Sequence, residues 1–202
     1  MTRKANRRVE ILEEEIVFKR YIFRIVQARL RHELYNGEMS DVLTRLSLSR
    51  GDSVAVLMHD PEAETLIFTE QFRYPTYDKT HVQSGWLIEI PAGTVEPHES
   101  PEKTIAREIM EEIGYQLRET QRIGTFYLSP GGTSERIILY YAQVSPTDKT
   151  GEGGGLVEEG EDVRTILMPV KEALKKLQHG EFHDAKTIIA LQWLQLKQNK
   201  SE

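Results

Sequence analysis

The chain has 202 residues, of which 39% are hydrophobic and 29% are charged, and its formal net charge is -6. A globular protein with one large domain, or with a domain and a small accessory region, is expected from this length and composition. The absence of cysteine excludes disulfides, thiolate chemistry and cysteine-ligated metal centres. The acidic balance disfavours nucleic acid as the main partner.

The sequence also bears on location. Its first residues are basic, but no apolar segment follows them, so we expect no signal peptide. No apolar run approaches the roughly 18 residues that a membrane span requires. These features favour a cytoplasmic protein that has neither a membrane nor a nucleic acid as its partner.

Residues 9–48 are predicted to form β-strands. Apolar and polar side chains alternate over much of residues 21–32, which is typical of a strand with one exposed face. The pair Asn36-Gly37 predicts a hairpin turn between that strand and a second strand at residues 39–48.

Strands and helices are mixed in the rest of the chain, which suggests an α+β fold or an α/β/α sandwich. A helix is predicted to begin at Pro101, with Ser100 as its N-cap, and to end at Gly114. Residues 145–160 are polar and glycine-rich, which is typical of a mobile loop. The other predicted elements are strands at residues 53–58, 65–72, 87–90, 122–128, 137–144 and 162–168, and helices at residues 170–178 and 185–197.

The predicted helix after Ser100 concentrates carboxylates on one face. Glu108, Glu111 and Glu112 have the spacing i, i+3, i+4, and Glu112 falls beside the apolar stripe of the helix. A solvated charged face is the simpler interpretation, but like charges four residues apart cost roughly 0.2–0.5 kcal/mol unless a cation lies between them. All-oxygen ligation favours Mg²⁺ or Mn²⁺ over zinc. The face is therefore a candidate metal site, and we take Glu111 and Arg107, which can orient it, as catalytic candidates.

Residues 93–114 resemble the Nudix box, G-x5-E-x7-R-E-U-x-E-E-x-G-U, in which U is an aliphatic residue. Every fixed letter is present, and only the last aliphatic position differs, where the chain has Tyr115. The resemblance implies an α/β/α sandwich with a mixed sheet, preceded by a small antiparallel β domain. That domain would be residues 1–48, ahead of the Nudix domain at residues 49–202. It would be exchanged between the subunits of a homodimer, in agreement with a segment too short to bury a core alone.

The same resemblance implies a metal site for Mg²⁺, with Mn²⁺ as the alternative. Three ligands are expected for it: the carbonyl of Ala92 and the carboxylates of Glu108 and Glu112. In the related hydrolases a loop closes over the pyrophosphate and supplies a glutamate as general base. Alignment of residues 153–162 with that loop makes Glu159 the base candidate and Glu161 a further metal ligand. Glu158 and Glu161 could exchange these roles.

Residues outside the box resemble the ADP-ribose pyrophosphatase branch of the family. Pro130 lies 16 residues after Gly114, where that branch typically has a proline. The surrounding run Ser129–Glu135 resembles the substrate loop of the branch, although an ordinary turn would also explain Pro130 and the glycines. The resemblance implies contacts to the terminal sugar from Ser129, Gly132 and Glu135, and to the phosphates from Arg73. It implies contacts to the base from Arg45 and from an aromatic residue, Phe23 or Tyr21, although an aromatic side chain on an alternating strand more often belongs to a core or an interface.

These resemblances predict metal-dependent hydrolysis of the pyrophosphate of ADP-ribose and related nucleoside diphosphate sugars. The products would be a nucleoside monophosphate and a sugar phosphate, which are AMP and ribose 5-phosphate for ADP-ribose. The acidic glycine-rich run at residues 153–162 also resembles hydrolases of UDP-glucose or GDP-mannose, which is the first alternative. A non-hydrolysing ADP-ribose sensor and a dinucleoside-polyphosphate or decapping hydrolase are the others.

Overall fold

The structure is a computed structural model that describes residues 7–78 and 83–199, apart from the side chains of Gln83 and Glu159. The chain divides into two compact units. The first unit comprises Met1–Gly51 and Tyr127–Glu135, and the second comprises Asp52–Phe126 and Arg136–Glu202. No helix within the described ranges is long and apolar enough to cross a membrane.

The first unit contains an antiparallel sheet of three strands, formed by β1 (Val9–Arg20), β2 (Phe23–His32) and β3 (Leu43–Ser49) in that order. The turn between β1 and β2 includes Tyr21, which has a left-handed φ of 53°. The alternating pattern assigns Tyr21 to a strand instead. The sequence carries no signal for this turn, because neither Tyr21 nor Ile22 is a residue type that favours one.

The predicted hairpin turn at Asn36-Gly37 is confirmed. Gly37 has a left-handed φ of 89°, and the side chain of Asn36 accepts a hydrogen bond from the amide of Glu38 at 3.0 Å. The strand after the turn begins at Leu43 and not at residue 39. Before it, Ser40 ties the connection back to the preceding strand, because its hydroxyl accepts a hydrogen bond from the amide of His32 at 3.1 Å.

The second unit is built on a mixed sheet of seven strands. They are β4 (Ser53–Asp60), β5 (Thr65–Asp78), β6 (Gln83–Glu89), β7 (Ala92–Thr94), β8 (Gln121–Tyr127), β9 (Arg136–Gln143) and β10 (Arg164–Pro169). Five strands follow the order β10-β5-β4-β9-β8, while β6 pairs with β5 and β7 pairs with β4. β4 and β9 are parallel, whereas β5 runs antiparallel to β4, β6 and β10.

Three helices cover the two faces of this sheet: α1 (Pro101–Ile113), α2 (Val170–Gln178) and α3 (Ala185–Gln198). Alternate residues of the buried strand β4 point to opposite faces. Val54 and Val56 belong to the core cluster that includes α1, and Ala55 and Leu57 belong to the one that includes α2 and α3. The expected α/β/α sandwich with a mixed sheet is therefore confirmed.

Helix α1 has the predicted ends. The hydroxyl of Ser100 accepts a hydrogen bond from the amide of Lys103 at 3.3 Å, Pro101 begins the helix, and Gly114 ends it with a left-handed φ of 72°. Its fully buried apolar side consists of Ile105, Ile109 and Ile113. Burial of each isoleucine contributes about 1.5–3 kcal/mol, so these residues fix the helix on the sheet.

Two other segments differ in detail from the predicted ones. The strand predicted at residues 65–72 is longer, because β5 runs on to Asp78 and pairs there with the start of β6. The polar segment at residues 145–160 contains two 3-10 turns, Pro146–Asp148 and Val157–Glu159. Neither turn has a hydrophobic periodicity that a sequence pattern could reveal.

Candidate active site

Arg107, on the charged face of α1, contacts three glutamates: Glu108 and Glu111 of the helix, and Glu99 just before it. Its Nη1 lies 2.9 Å from Oε2 of Glu111, and its Nη2 lies 3.2 Å from Oε2 of Glu99 and 3.1 Å from Oε1 of Glu108. Burial opposes the charge of Arg107, but the carboxylates outweigh burial and raise its pKa above the ordinary value. The expected contact between Arg107 and Glu111 is therefore present, while the catalytic role of both residues stays a prediction.

Glu112 is a charged side chain placed almost entirely inside the protein. It is 2% exposed, and its Oε1 accepts a weak hydrogen bond from Nε2 of Gln71 at 3.4 Å. Its Oε2 is buried and has no hydrogen-bonding partner among the described residues. Burial first, and then the nearby charge of Glu108, raise the pKa of Glu112 to about 8.

Glu108 lies one helical turn before Glu112, and its surroundings also disfavour the ionised carboxylate. Burial raises the pKa of Glu108 to about 7, against the attraction of Arg107. The charge of Glu161 raises the pKa values of both Glu108 and Glu112, so all three carboxylates interact. A protein retains such a repulsive arrangement when a cation compensates it, since an uncompensated buried charge is costly.

A divalent cation fits the donors that this face presents. The partnerless Oε2 of Glu112 would gain a ligand bond in place of the missing hydrogen bond, whose loss costs about 1–3 kcal/mol. Among the described side chains, no three acidic or imidazole groups stand close enough together to form a complete metal cage. A site of one or two carboxylates, completed by water and substrate phosphate, is a known way for a protein to bind a hard divalent cation.

Gly93 allows the strand that precedes α1 to approach the charged face of the helix. It lies in β7 directly after Ala92, and β7 pairs with β4 through Ala55 and Ala92. A Cβ atom on Gly93 would lie 2.0 Å from Cδ of Glu108. A side chain at this position would therefore displace Glu108, which gives a physical reason for the glycine that begins the box.

A glycine-rich segment, residues 150–155, seats against the carboxyl end of α1. The amides of Gly154 and Gly155 donate hydrogen bonds to the carbonyls of Glu112 and Glu111 at 2.8 and 3.0 Å. Gly153 has a left-handed φ of 74°, and a Cβ atom on it would lie 2.6 Å from Cα of Ile113. The segment thus satisfies helix carbonyls that would otherwise have no partner.

This segment leads directly to the acidic residues that were assigned to the catalytic loop. Oε2 of Glu161 accepts a hydrogen bond from the amide of Leu156 at 3.0 Å, and the charge of Glu161 acts on the α1 carboxylates. Glu158 is exposed. The backbone of Glu159 ends the second 3-10 turn, but its side chain lies outside the described residues, so its role as the base stays a prediction.

Arg73 on β5 belongs to a buried network that the sequence reasoning missed. Its Nε donates to Oε1 of Glu89 at 2.7 Å, and the other oxygen of Glu89 forms an ion pair with Lys186. Lys186 also pairs with Asp184 at 2.9 Å. Burial opposes the charge of Lys186, but the two carboxylates outweigh it and raise its pKa. The signal that could have revealed Glu89 is a charged residue inside the otherwise apolar run Trp-Leu-Ile-Glu-Ile at residues 86–90.

The residues assigned to the base and the terminal sugar lie in the first unit. Arg45 is exposed on β3, Phe23 is 40% exposed at the start of β2, and Ser129, Gly132 and Glu135 lie in the loop before β9. The loop is tied to β3, because the amide of Leu48 donates to the carbonyl of Gly132 at 2.8 Å.

Glu135 and Phe23 are linked by Arg50, which the sequence reasoning did not include. Nε of Arg50 lies 3.8 Å from Oε1 of Glu135, and its guanidinium lies 5.9 Å from the centre of the Phe23 ring. The structure thus brings Glu135 and Phe23 to one arginine, while no described contact links Arg45 to these two residues. The assignment of all these residues to substrate binding stays a prediction.

Comparison with known proteins adds an independent line of evidence. A model of the NUDIX domain matches residues 49–191. The ADP-ribose pyrophosphatase of Escherichia coli (strain K12) is 36% identical over 188 residues, which cover 93% of this chain and 88% of that protein. The GDP-mannose pyrophosphatase of Cronobacter sakazakii is 33% identical over 190 residues, which cover 94% of this chain and 96% of that protein.

A solved structure has the same fold. A crystal structure described as an ADP compounds hydrolase superposes with a TM-score of 0.69 at 20% sequence identity, covering 96% of this chain and 98% of that one. The family model spans well over half of the chain, and each of these two pyrophosphatases matches more than nine tenths of it. The chain therefore belongs to the NUDIX family.

Proposed function

We propose that this protein hydrolyses the pyrophosphate of ADP-ribose and of related nucleoside diphosphate sugars. The observation that carries the proposal is the buried carboxylate of Glu112, whose Oε2 has no partner within the described residues. One helical turn away lies a second carboxylate with a raised pKa, that of Glu108. Such a pair is suited to a cation held against a phosphate chain. The relatives named ADP-ribose pyrophosphatase support the choice of substrate.

Nudix pyrophosphatases generally use divalent metal ions. We assign the ion here as Mg²⁺, with Mn²⁺ as the alternative, held by the carbonyl of Ala92 and the carboxylates of Glu108 and Glu112, with Glu161 as the candidate for an additional ligand. When bound, the metal supplies charge neutralisation for the pyrophosphate and lowers the pKa of a bound water. The positive charge of the metal also favours the ionised forms of the ligand carboxylates, which must lose their protons to bind it.

The reaction needs a base and a group that holds the pyrophosphate. Water attacks one phosphorus, the bond from that phosphorus to the bridging oxygen breaks, and the second phosphate leaves with its sugar or nucleoside. Glu159 takes the proton from the attacking water, and Glu158 and Glu161 are the alternatives for this role. Arg73 holds the phosphate that is not attacked, and Arg107 keeps Glu111 in place beside the metal ligands.

The base and the terminal sugar of the substrate are assigned to residues outside the box. Phe23 and Arg45 face the base, and Ser129, Gly132 and Glu135 bind the terminal sugar. We also propose a homodimer in which the N-terminal β region is exchanged between subunits. Support comes from β1, all twelve residues of which are exposed, including the apolar residues Val9, Ile11, Leu12, Ile16, Val17 and Phe18.

A second candidate function is hydrolysis of a hexose nucleotide. The GDP-mannose pyrophosphatase of Cronobacter sakazakii matches the chain at 33% identity and almost its whole length, only slightly below the ADP-ribose pyrophosphatases. A sensor that binds ADP-ribose without hydrolysis is the remaining alternative. The presence of both Glu108 and Glu112 argues against a sensor, because binding without hydrolysis does not require a pair of carboxylates with raised pKa values.

A substrate panel tests the proposal. The purified protein would be incubated with MgCl₂ and ADP-ribose, UDP-glucose, GDP-mannose or a diadenosine polyphosphate, and the products would be identified by chromatography. We expect preferential cleavage of ADP-ribose to AMP and ribose 5-phosphate. Preference for a hexose nucleotide would move the assignment to the second candidate, and tight binding without cleavage would favour the sensor.

A further inference from the structure

We propose that Lys186 is a positioning residue for the phosphate-binding arginine Arg73, and that it acts through Glu89. Glu89 is 3% exposed, yet it has an ion-pair partner for each of its oxygens. Oε1 accepts a hydrogen bond from Nε of Arg73 at 2.7 Å, and Oε2 pairs with Nζ of Lys186. The inference rests on the proposed function, since it takes Arg73 as the group that binds the pyrophosphate.

The lysine is fixed to the first turn of α3. Its Nζ donates a second hydrogen bond to Oδ1 of Asp184 at 2.9 Å. Oδ2 of Asp184 caps the helix, because it accepts hydrogen bonds from the amide of Thr187 at 2.9 Å and from its hydroxyl at 2.6 Å. The ammonium group is therefore held by a rigid element and not by a flexible surface contact.

The first turn of α3 also forms a hydrogen bond with the backbone that leads to Ala92. The hydroxyl of Thr187 accepts a hydrogen bond from the amide of Ile90 at 2.9 Å. Ile90 directly follows Glu89, and only Pro91 separates it from Ala92, the first residue of β7. The start of α3 thus fixes both the side chain of Glu89 and the path of the chain after it.

The hydrogen bond to Glu89 leaves the two terminal nitrogens of Arg73 available for a substrate. Only Nε is engaged, and the two terminal nitrogens have no hydrogen-bonding partner among the described residues. The side chain is 40% exposed, and the planar fork of a guanidinium matches phosphate oxygens in geometry. Arg73 also acts on the metal-binding face, since its charge opposes the effect of burial on the pKa of Glu112.

Charge balance explains why the lysine matters. Two cations, Arg73 and Lys186, face two carboxylates, Glu89 and Asp184, so neither cation must neutralise Glu89 alone. Without Lys186, the buried Oε2 of Glu89 would lack a partner. Arg73 has the donors to replace it, but turning both nitrogens toward Glu89 withdraws the fork from the substrate.

A double-mutant cycle tests the coupling between Lys186 and Arg73. Lys186→Met and Lys186→Arg would each be made in the native background and in the Arg73→Ala background. The measurements are kcat and KM for ADP-ribose with Mg²⁺, the Kd of a methylene-bridged analogue of ADP-ribose by calorimetry, and the melting temperature. Lys176→Met is the matched control, because Lys176 also forms an ion pair, with Glu181 on the surface.

We expect Lys186→Met to raise KM and the Kd of the analogue about tenfold in the native background and less than about twofold in the Arg73→Ala background. Lys186→Arg, which retains the charge, should stay close to the native values, as should Lys176→Met. Equal losses in both backgrounds, or a lower melting temperature with unchanged KM and Kd, would show that Lys186 only stabilises the fold and would overturn the proposal.

Two further arrangements keep the test decisive. If Lys186→Met does not fold, the comparison is made in the Glu89→Gln background. Glu89→Gln should itself raise KM, and the addition of Lys186→Met should then change KM less than about twofold, because the carboxylate through which Lys186 acts is gone. A further large rise in KM would overturn the proposal. If the native protein binds the analogue but cleaves no substrate, the proposed reaction fails while the Kd values still test the coupling. If the native protein does not bind the analogue at all, both proposals are overturned.

Discussion

A Cβ atom on Gly93 would lie 2.0 Å from Cδ of Glu108, so only glycine at this position leaves room for the Glu108 side chain as it lies. The atoms in the way are the far end of the Glu108 side chain and not the backbone. A larger residue at this position would therefore move the carboxylate and leave the two elements in place.

Gly93→Ala is predicted to impair the metal site while the fold survives. The displaced Glu108 would no longer face the cation, so we expect kcat/KM to fall roughly 10–100-fold, with a weaker response to Mg²⁺. Gly124→Ala is the matched control, because Gly124 also lies in a strand of the second unit and a Cβ atom on it meets nothing within 4 Å. Equal activity of the two variants in a titration with MgCl₂ would contradict the assignment of Glu108.

Glu112→Gln is predicted to separate activity from stability. The amide keeps the shape and a hydrogen-bond acceptor for Gln71 but removes a buried charge. We expect kcat to fall roughly 100-fold or more, because a metal ligand is lost. At pH 9 without metal, the variant should melt at or above the temperature of the native protein. Glu119→Gln, at an exposed position, is the control, and near-native turnover of Glu112→Gln would remove the metal assignment.

The pH dependence of metal-free stability follows from the same two carboxyl groups. Their pKa values rise from 4.5 to about 7 for Glu108 and about 8 for Glu112, so between pH 4.5 and 8 the folded state keeps protons that the unfolded state has released. The free energy of unfolding should therefore fall as the pH rises through this window. Asp52 contributes in the opposite sense, because its pKa is lowered in the folded state. Its contribution to the free energy of unfolding is lost only as the pH falls below about 3.8, outside this window.

Mg²⁺ competes with these protons, so its stabilising effect should grow with pH up to about 8. Melting temperatures measured from pH 5.5 to pH 9, with MgCl₂ or with EDTA, provide the test. We expect the difference between the two series to increase with pH in the native protein and to be small in Glu112→Gln. A metal effect that does not change with pH would argue against coordination by the groups with raised pKa values.

Gly153→Ala is predicted to detach the glycine-rich segment from α1. Its Cβ atom would lie 2.6 Å from Cα of Ile113, and the residue already has a left-handed φ of 74°. We expect a loss of about 1–3 kcal/mol in the free energy of unfolding, measured with urea, together with lower activity. Gly160→Ala isolates the conformational part of this effect, since Gly160 has a φ of 75° but no atom within 4 Å of the added Cβ.

The general base can be identified by comparing three conservative variants. Glu159→Gln should lower kcat far more than KM, because a base acts in the transition state. Glu158→Gln should change either constant less than about twofold if Glu158 has no part in catalysis, and Glu161→Gln should weaken the dependence on Mg²⁺. A large loss of kcat in Glu158→Gln alone would transfer the role of the base to Glu158.

The box helix could be predicted from sequence because its signals are local. The Ser100 cap, Pro101 and the terminal Gly114 lie next to the residues that they define, and the charged and apolar faces repeat with the helical period. The turn at Tyr21 could not be predicted, because its left-handed φ is imposed by the pairing of β1 with β2 and not by a turn-forming residue.

The parts of the site that depend on contacts between residues far apart in the chain also could not be predicted from the sequence. Glu89 and Lys186 are 97 residues apart in the chain, and only the packing of α3 against the sheet brings them together. The close approach of Gly93 to Glu108 likewise depends on the seating of α1, although the glycine itself is part of the box. A one-dimensional pattern contains the residue types of this site but not the pairs that they form.

The most direct test is the rate of AMP release from ADP-ribose in MgCl₂, measured side by side for the native protein and for Glu112→Gln. Our account predicts formation of AMP and ribose 5-phosphate by the native protein, its loss on addition of EDTA, and little product from the variant. Release of AMP at equal rates by both proteins, or no release by the native protein, would contradict it.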